Sequence, residues 1–280
     1  MIGVLYNPRV ARARHLAEEI AVWIEQRGRL VRVCAASHSE SAGDLREIDL
    51  LVTLGGDGSI LRAARAVAPL GTPILGINLG RVGFLTEADP EMWQDVLARA
   101  LADGYWLEER IMLQAVARRD GETLGQAQAL NDVVVGRGAR ARVVHLQTEV
   151  DGGRLATYVA DGLIVATPTG STAYALAAGG PVLPPQLRNV LLVPVAPHLS
   201  MARPIVLSEG VSVRIRVVDD RPAVLTVDGD MHAQLESGDE VVVEVSPHVA
   251  RFARVQERTY FYKTLVERLV PRNHAPYHSP

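Results

Sequence analysis

Leu50-Leu51-Val52-Thr53-Leu54 runs straight into Gly55-Gly56-Asp57-Gly58 and then into Ser59-Ile60-Leu61-Arg62. An apolar run closed by glycines and followed by a helix start is a strand-turn-helix unit, and it constrains the fold more than any other stretch of the chain. Such units build parallel sheets, whose ligands bind beyond the carboxyl ends of the strands. Glycine admits close backbone approach, and the following helix turns unpaired N–H groups and the positive end of its dipole toward an anion. The turn therefore reads as a phosphate site built on Gly55, Gly56 and Gly58. Asp57 is the exception, because a carboxylate among such donors repels phosphate. It has either a chemical task or the plainer one of capping the helix. Neither G-x-x-x-x-G-K-[ST] nor G-x-G-x-x-G occurs, so the site is neither a Walker loop nor the common dinucleotide fingerprint.

With 280 residues, 48% hydrophobic and 22% charged, the chain is an ordinary globular protein with room for two domains. No apolar run reaches membrane-spanning length, and the segment from Met1 to Pro8 lacks the basic start and long apolar core of a signal peptide. A cytoplasmic protein that does not bind membranes is expected. The single Cys34 forms no internal disulfide and is expected to be a buried, inert thiol. A net charge of −3 exerts no global pull on nucleic acid, so an anionic ligand must be met by local donors. The eight histidines show no metal-ligand spacing, and no protein-caged metal is expected.

Residues 2–7 form a short strand ending at Asn7-Pro8, and Leu16, Ile20, Trp23 and Ile24 recur at helical spacing within 10–27. Strands over 30–35, 49–54 and 72–78 follow, with a helix over 59–67 between the last two. Asn78-Leu79-Gly80-Arg81-Val82-Gly83-Phe84-Leu85-Thr86 follows the fourth strand, so its glycines fall on the same sheet edge as Asp57. Asp89-Pro90-Glu91 has the pattern of a helix start capped by Asp89, and that helix should end near Asp103-Gly104. From about 105 onward the pattern is β-rich, at 107–118, 127–135, 143–150, 155–165, 189–195, 211–218, 223–227 and 240–245. Asp120-Gly121, Asp151-Gly152 and Asp228-Gly229 are hairpin signals. One helix interrupts this region, from Gly170-Ser171-Thr172 through Ala178. A final helix over 259–269 should pack back on the first domain, ahead of a loose tail over 271–280. The expected architecture is an α/β N-terminal domain with a Rossmann-like parallel sheet (1–104), an all-β C-terminal domain with one inserted helix (105–258), and a C-terminal helix and tail (259–280). The fold class is α+β overall.

A second cluster repeats the construction of the first. Asp161-Gly162-Leu163-Ile164-Val165-Ala166-Thr167-Pro168-Thr169-Gly170-Ser171-Thr172-Ala173-Tyr174 is an apolar strand, a turn and a hydroxyl-rich helix start. Its hydroxyls and free N–H groups suit a ribose, an amide or a phosphate, and equally a helix capped by Ser171 or Thr172. Asn131-Asp132, read alone, is a turn.

In their order along the chain, the GGDG turn, the Asn131-Asp132 pair and the D-G…T-P-T-G-S-T-A-Y segment resemble the NAD kinase family. The resemblance extends to 79–86, to Leu199-Ser200-Met201-Ala202-Arg203-Pro204-Ile205-Val206-Leu207 and to Tyr260-Phe261-Tyr262-Lys263-Thr264-Leu265, and so covers nearly the whole chain. It implies transfer of the terminal phosphoryl group of ATP to the 2′-hydroxyl of the adenosine ribose of NAD. Asp57 would then be the general base. Gly55, Gly56 and Gly58 would cradle phosphates, with Arg62 as a charge clamp or a solvated helix charge. On the NAD side the resemblance implies Asn131 and Asp132 at the adenosine portion and Asp161 at the nicotinamide end. Thr172, Ala173, Tyr174, Ala175, Leu176 and Ala177 would line the pocket with Asp57 and Gly58, and Arg142 would be a ligand contact. Arg137, Arg140 and Arg142 also fit a solvated strand face.

Phosphoryl transfer at a site with few acidic ligands fits Mg2+ carried with ATP and no metal site on the protein itself. The resemblance further implies a homodimer or homotetramer, and the sequence leaves open whether inorganic polyphosphate can replace ATP. Departures from the family pattern are Ser59 for the usual Thr, Asp132 for Glu, Val159 where some relatives have Arg, and Ala177 for Ser. A lipid-hydroxyl kinase shares the GGDG turn, but the polar Asn131, Asp161 and Thr172 argue against an apolar substrate. A non-catalytic NAD(P) sensor has no use for Asp57.

Overall fold

The computed structural model describes residues 1–36, 45–80, 83–138, 142–198 and 200–269. The chain begins with β1 (Ile2–Tyr6), α1 (Ala11–Glu25), β2 (Val31–Ala35), β3 (Leu50–Leu54), α2 (Asp57–Val67), β4 (Ile74–Ile77) and α3 (Trp93–Leu101). The four strands are parallel, in the order β2-β1-β3-β4. Every residue of β3 and β4 is buried, as a parallel sheet covered on both faces requires. On one face, Ala17, Ile20 and Ile24 of α1 and Trp93 and Leu97 of α3 meet Val4, Val52 and Leu75. On the other, Ile60, Ala64 and Val67 of α2 meet Leu5, Leu51 and Ile74. Each such Leu or Ile contributes about 1.5–3 kcal/mol by leaving water.

The winding reverses between β1 and β3, since β1 leads to β2 on one side while β3 leads to β4 on the other. Reversal opens a crevice at the carboxyl ends of the two strands, which is where open α/β sheets bind ligands. Asn7 follows β1 and Gly55 follows β3 at that crevice, and the Asn7 N–H donates to the Leu54 carbonyl at 3.2 Å.

The remainder comprises β5 (Trp106–Arg119), β6 (Glu122–Ala129), β7 (Asp132–Arg137), β8 (Val144–Val150), β9 (Gly153–Ala160), β10 (Gly162–Ala166), the one-turn α4 (Tyr174–Ala177), β11 (Val190–Val195), β12 (Ile205–Leu207), β13 (Val213–Val217), β14 (Ala223–Val227), β15 (Asp230–Leu235), β16 (Glu240–Arg254) and α5 (Tyr260–Leu269). Strands β12-β11-β10-β7-β14-β15 form a six-stranded sheet. Its inner face packs Val133, Leu163, Leu192 and Leu225 against Leu113, Leu146, Tyr158 and Ile215 from the facing strands. Those facing strands continue the N-terminal sheet. β16 pairs antiparallel with β5 and, at Phe252, parallel with β4 at Ile74, so that ten strands join in one sheet. Asp120, Asp151 and Asp228 have φ of 49, 50 and 48°, each followed by a glycine at positive φ, as the two-residue hairpin turns require.

The structure departs from the sequence expectation in several places. The 155–165 run divides at Asp161 into β9 and β10, which lie in different sheets, and the 127–135 run divides at Leu130-Asn131. In each run the break falls at a polar residue, Asp161 or Asn131, where the chain passes from one sheet to the other. The 240–245 strand continues to Arg254 through an irregularity between Val245 and Val249, and β12 and β15 are additional strands. The 170–178 helix is broken. A 3-10 turn over Thr169–Thr172 ends at Ala173, whose ψ of −128° separates it from α4. Ser171 caps nothing there, because its Oγ donates to the Pro168 carbonyl and accepts the Leu183 N–H. Asp89 makes no capping bond with its side chain. Cys34 is partly buried beside the α2 face. Arg81, Val82, Arg140, Leu199 and the 271–280 tail lie outside the described residues. Among the described residues no helix is long and apolar enough to cross a membrane.

Candidate active site

Asp57 is the first residue of α2, not its cap; the cap position belongs to Gly56. Its carboxylate turns to the loop after β4 instead of to its own helix. The Phe84 N–H donates to Oδ2 at 3.0 Å and the Leu85 N–H to Oδ1 at 3.2 Å. The loop is itself pinned, with the Gly83 N–H bonded to Thr86 Oγ1 at 3.0 Å. A Cβ on Gly83 would stand 1.7 Å from Asp57 Oδ1, so only glycine lets the loop approach this closely. Two N–H donors occupy about half of the roughly four acceptor positions of a carboxylate, and the rest can accept from another donor.

On the other side of the turn the space is open. Gly56 and Gly58 are exposed, and a Cβ on either would meet nothing within 4 Å. The Gly55 N–H is bonded to the Ile77 carbonyl at 3.1 Å, and the next amide bonded back into the turn is that of Ser59, to Gly56 at 2.9 Å. The amides between them stand at the donor end of α2. Arg62, one turn further, is half-buried and lines a cleft of about 650 Å³ with Arg65, Gln126, Gln128, Met231 and His232.

Asn131 and Asp132 do not form a simple turn. The Asp228 carboxylate accepts the N–H groups of Leu130, Asn131 and Asp132 at 3.0, 2.8 and 3.2 Å. Arg65 of α2 lies 4.0 Å from Asp228 and bonds Asp230 at 2.7 Å, so the helix that presents Asp57 also touches the clamp on Asn131. From the other flank, Thr167 Oγ1 donates to the Leu130 carbonyl at 2.5 Å and the Thr167 N–H to the Asn131 carbonyl at 2.9 Å. The two polar stretches, some 36 residues apart in sequence, are thereby one seam. Asp228 and Thr167 make this seam; Thr167 lies in the cluster the sequence singles out, and sequence reasoning missed Asp228 and the pairing of the two stretches. Asp228 is fully accounted for as a hairpin residue, and Arg65 reads as an ordinary helix surface charge.

Asp132 is only 5% exposed. Burial, and secondarily the Asp228 charge, pushes its carboxyl up to about 7. Asp228 is raised as well, by burial first, against the pull of its three amides and Arg65. At neutral pH Asp132 thus carries a proton in a large fraction of molecules and can donate as well as accept. A carboxyl whose folded pKa lies above its unfolded value gives stability that is complete below the unfolded pKa, near 4, and is lost as pH rises through about 7. Asp132→Asn is neutral at all pH. Its stability relative to the wild type should grow by on the order of 3 kcal/mol between pH 4 and pH 8, read by urea unfolding at both. A gap that is constant with pH would show that Asp132 carries no such penalty.

Asp161 occupies the corner between β9 and β10, with its Oδ1 3.2 Å from Arg137 Nε. Arg137 is therefore a partner of Asp161 and not a free surface charge. Both line a cleft of about 470 Å³ with Gly136, Gly162, Tyr174 and Thr226. Arg142 is exposed, two residues ahead of Val144, whose partner is Ala160. It lies at the same strand end as Asp161. Thr172 Oγ1 donates to the Thr169 carbonyl at 3.2 Å. Ala173, Leu176 and Ala177 are partly or fully exposed, Tyr174 presents its ring to the cleft, and Ala175 is buried against Val134, Ile164 and Leu191 as the anchor of the segment.

Residues 42–105 match the family described as the ATP-NAD kinase N-terminal domain, and residues 130–255 match the ATP-NAD kinase C-terminal domain. An NAD kinase of Heliobacterium modesticaldum is 43% identical over 269 residues, spanning 93% of this chain and 95% of its own. One from Moorella thermoacetica is 42% identical over 279 residues, spanning 96% and 88%. The crystal structure of an NAD kinase from Archaeoglobus fulgidus in complex with ATP superposes with a TM-score of 0.76 at 28% identity, over 95% of this chain and 97% of its own. Yeast NADH kinase complexed with NADH shares the fold, with a TM-score of 0.87 at 23% identity over 100% of this chain and 89% of its own.

Proposed function

The chain belongs to the ATP-NAD kinase family, and on that premise we propose that it phosphorylates the 2′-hydroxyl of the adenosine ribose of NAD with ATP, giving NADP, with Asp57 as the general base. The observation that carries the role of Asp57 is its setting. It is a carboxylate oriented by two amides from the next loop and placed at the donor end of α2 beside two open glycines. As the ribose oxygen attacks the terminal phosphorus, Asp57 takes the hydroxyl proton and ADP leaves with the electrons of the broken P–O bond. The amides around Gly56 and Gly58, the dipole of α2 and Arg62 stabilise the charge on the transferring group. Phosphoryl transfer needs positioning and charge neutralisation more than covalent chemistry, and Mg2+ arriving on the ATP phosphates supplies the latter.

Residues 1–104 contribute the phosphate turn and residues 105–258 the dinucleotide seam. On that seam Asn131 and Asp132 meet the adenosine portion, and Asp161 with the Thr172 to Ala177 segment meets the rest of NAD. A homodimer or homotetramer is the assembly that the family resemblance favours, and its location is the cytoplasm. Incubation of the purified protein with NAD, ATP and magnesium should yield NADP, read with an NADP-specific dehydrogenase. Well-folded protein that binds NAD and makes no NADP would leave a sensor. Substituting polyphosphate for ATP in the same assay decides the donor.

A further inference from the structure

The loop that orients Asp57 is locked from behind by buried ions, and we infer that Arg254 is a positioning residue for the base. Arg254, at the end of β16, is 1% exposed. Its Nη1 donates to the Leu85 carbonyl and to Glu87 Oε2, each at 3.1 Å, and its Nε to Glu108 Oε2 at 2.9 Å. Leu85 is the residue whose own N–H holds Asp57 Oδ1. One residue thus takes the guanidinium on its carbonyl and the catalytic carboxylate on its amide. Glu87 fastens the far end of the loop, its Oε1 accepting the Val255 and Gln256 N–H groups at 2.7 and 2.6 Å. Glu108 is fixed in turn by Arg110 Nη2 at 3.0 Å, by the Tyr260 hydroxyl of α5 at 2.8 Å and by Gln186 at 2.8 Å. The Arg254 guanidinium also lies over the Phe252 and Tyr260 rings, 4.9 and 4.6 Å from their centroids.

A buried cluster of two carboxylates and two guanidiniums is a poor way to gain stability, because well-packed apolar residues of similar volume usually serve as well or better. It does fix directions. The planar fork of arginine reaches three acceptors on two segments, the 83–87 loop and β5, which a lysine ammonium on its flexible stem does not reproduce. Burial alone would raise Glu108, yet Arg110 and Arg254 hold it down at about 2, so Glu108 stays charged at working pH. The segment it fixes carries the Phe84 and Leu85 amides, and a displaced base costs rate while leaving substrate contacts on the seam untouched.

The inference rests on Asp57 being the base, and its test separates the two. Arg254→Lys is expected to lower kcat about 10- to 100-fold with KM for NAD and for ATP within about twofold. Hydrogen exchange should accelerate in the peptide covering 83–87 and stay at wild-type rates elsewhere. In an Asp57→Asn background the same change should cost less than about twofold, because there is no base left to misplace. An equal loss in both backgrounds, an unchanged kcat, or exchange accelerated throughout the chain would each overturn the role. If Arg254→Lys does not fold, Glu87→Gln takes its place with the same expectations, since it keeps an acceptor for the two amides and loses the charge facing Arg254. Turnover retained by Asp57→Asn alone would refute the base assignment itself.

Discussion

Asp57→Asn should lose about 10²–10⁴-fold in kcat while its affinity for NAD stays within about threefold. The amide is the same size, and the substitution touches neither the glycines of the turn nor the Asn131 seam. It removes the ability to take up a proton, and it sets an amide where two N–H groups now meet two carboxylate oxygens at 3.0 and 3.2 Å. One of those two donors then faces an NH2, at a cost of about 1–3 kcal/mol for the unmet donor. Stability should fall by no more than that, so the loss in rate is separable from loss of fold. The measurement is NADP formation under saturating NAD and ATP, with NAD binding determined separately. Turnover within a few-fold of the wild type would dismiss Asp57 as the base.

Gly170→Ala is the second large effect, and it acts on the other half of the site. A Cβ at this position would stand 2.1 Å from the Asn131 carbonyl oxygen, 2.6 Å from its carbon and 2.9 Å from its Cα. A flexible side chain would swing away, but these are backbone atoms, held by Thr167 on one side and by Asp228 on the other. Relief requires opening the seam, which breaks hydrogen bonds worth about 1 kcal/mol each on top of the roughly 1–3 kcal/mol of overpacking. A loss of about 3 kcal/mol or more in urea unfolding is expected, together with a KM for NAD raised by about tenfold through displacement of Asn131 and Asp132. Wild-type stability and KM would mean that the seam yields freely and does not define the dinucleotide site.

Much of this architecture is legible in the chain, because it is decided by neighbours in sequence. The strand-turn-helix at 50–62 needs only an apolar run, glycines and a helix start, and it appears as β3 and α2. The three Asp-Gly hairpins follow from the left-handed backbone that those two residues tolerate. The parallel order and the reversal between β1 and β3 place the Gly55 turn at a crevice, as the alternation of strands and helices implies. Membership of the kinase family rests on the same local motifs taken in order.

What the chain by itself determines, then, is where the family's motifs stand; the tertiary structure decides how their residues are held. Asp57 is oriented by amides 27 and 28 residues away, Asn131 by a carboxylate 97 residues away, and Leu85 by a guanidinium 169 residues away. None of these bonds leaves a periodic trace, because a backbone amide is the same group at every position and says nothing about its partner. Asp228 and Arg254 have satisfactory local explanations as a turn residue and a strand end. Only burial turns them into a clamp and a strut, since removal from water forces each polar group to find a fixed partner wherever the fold supplies one.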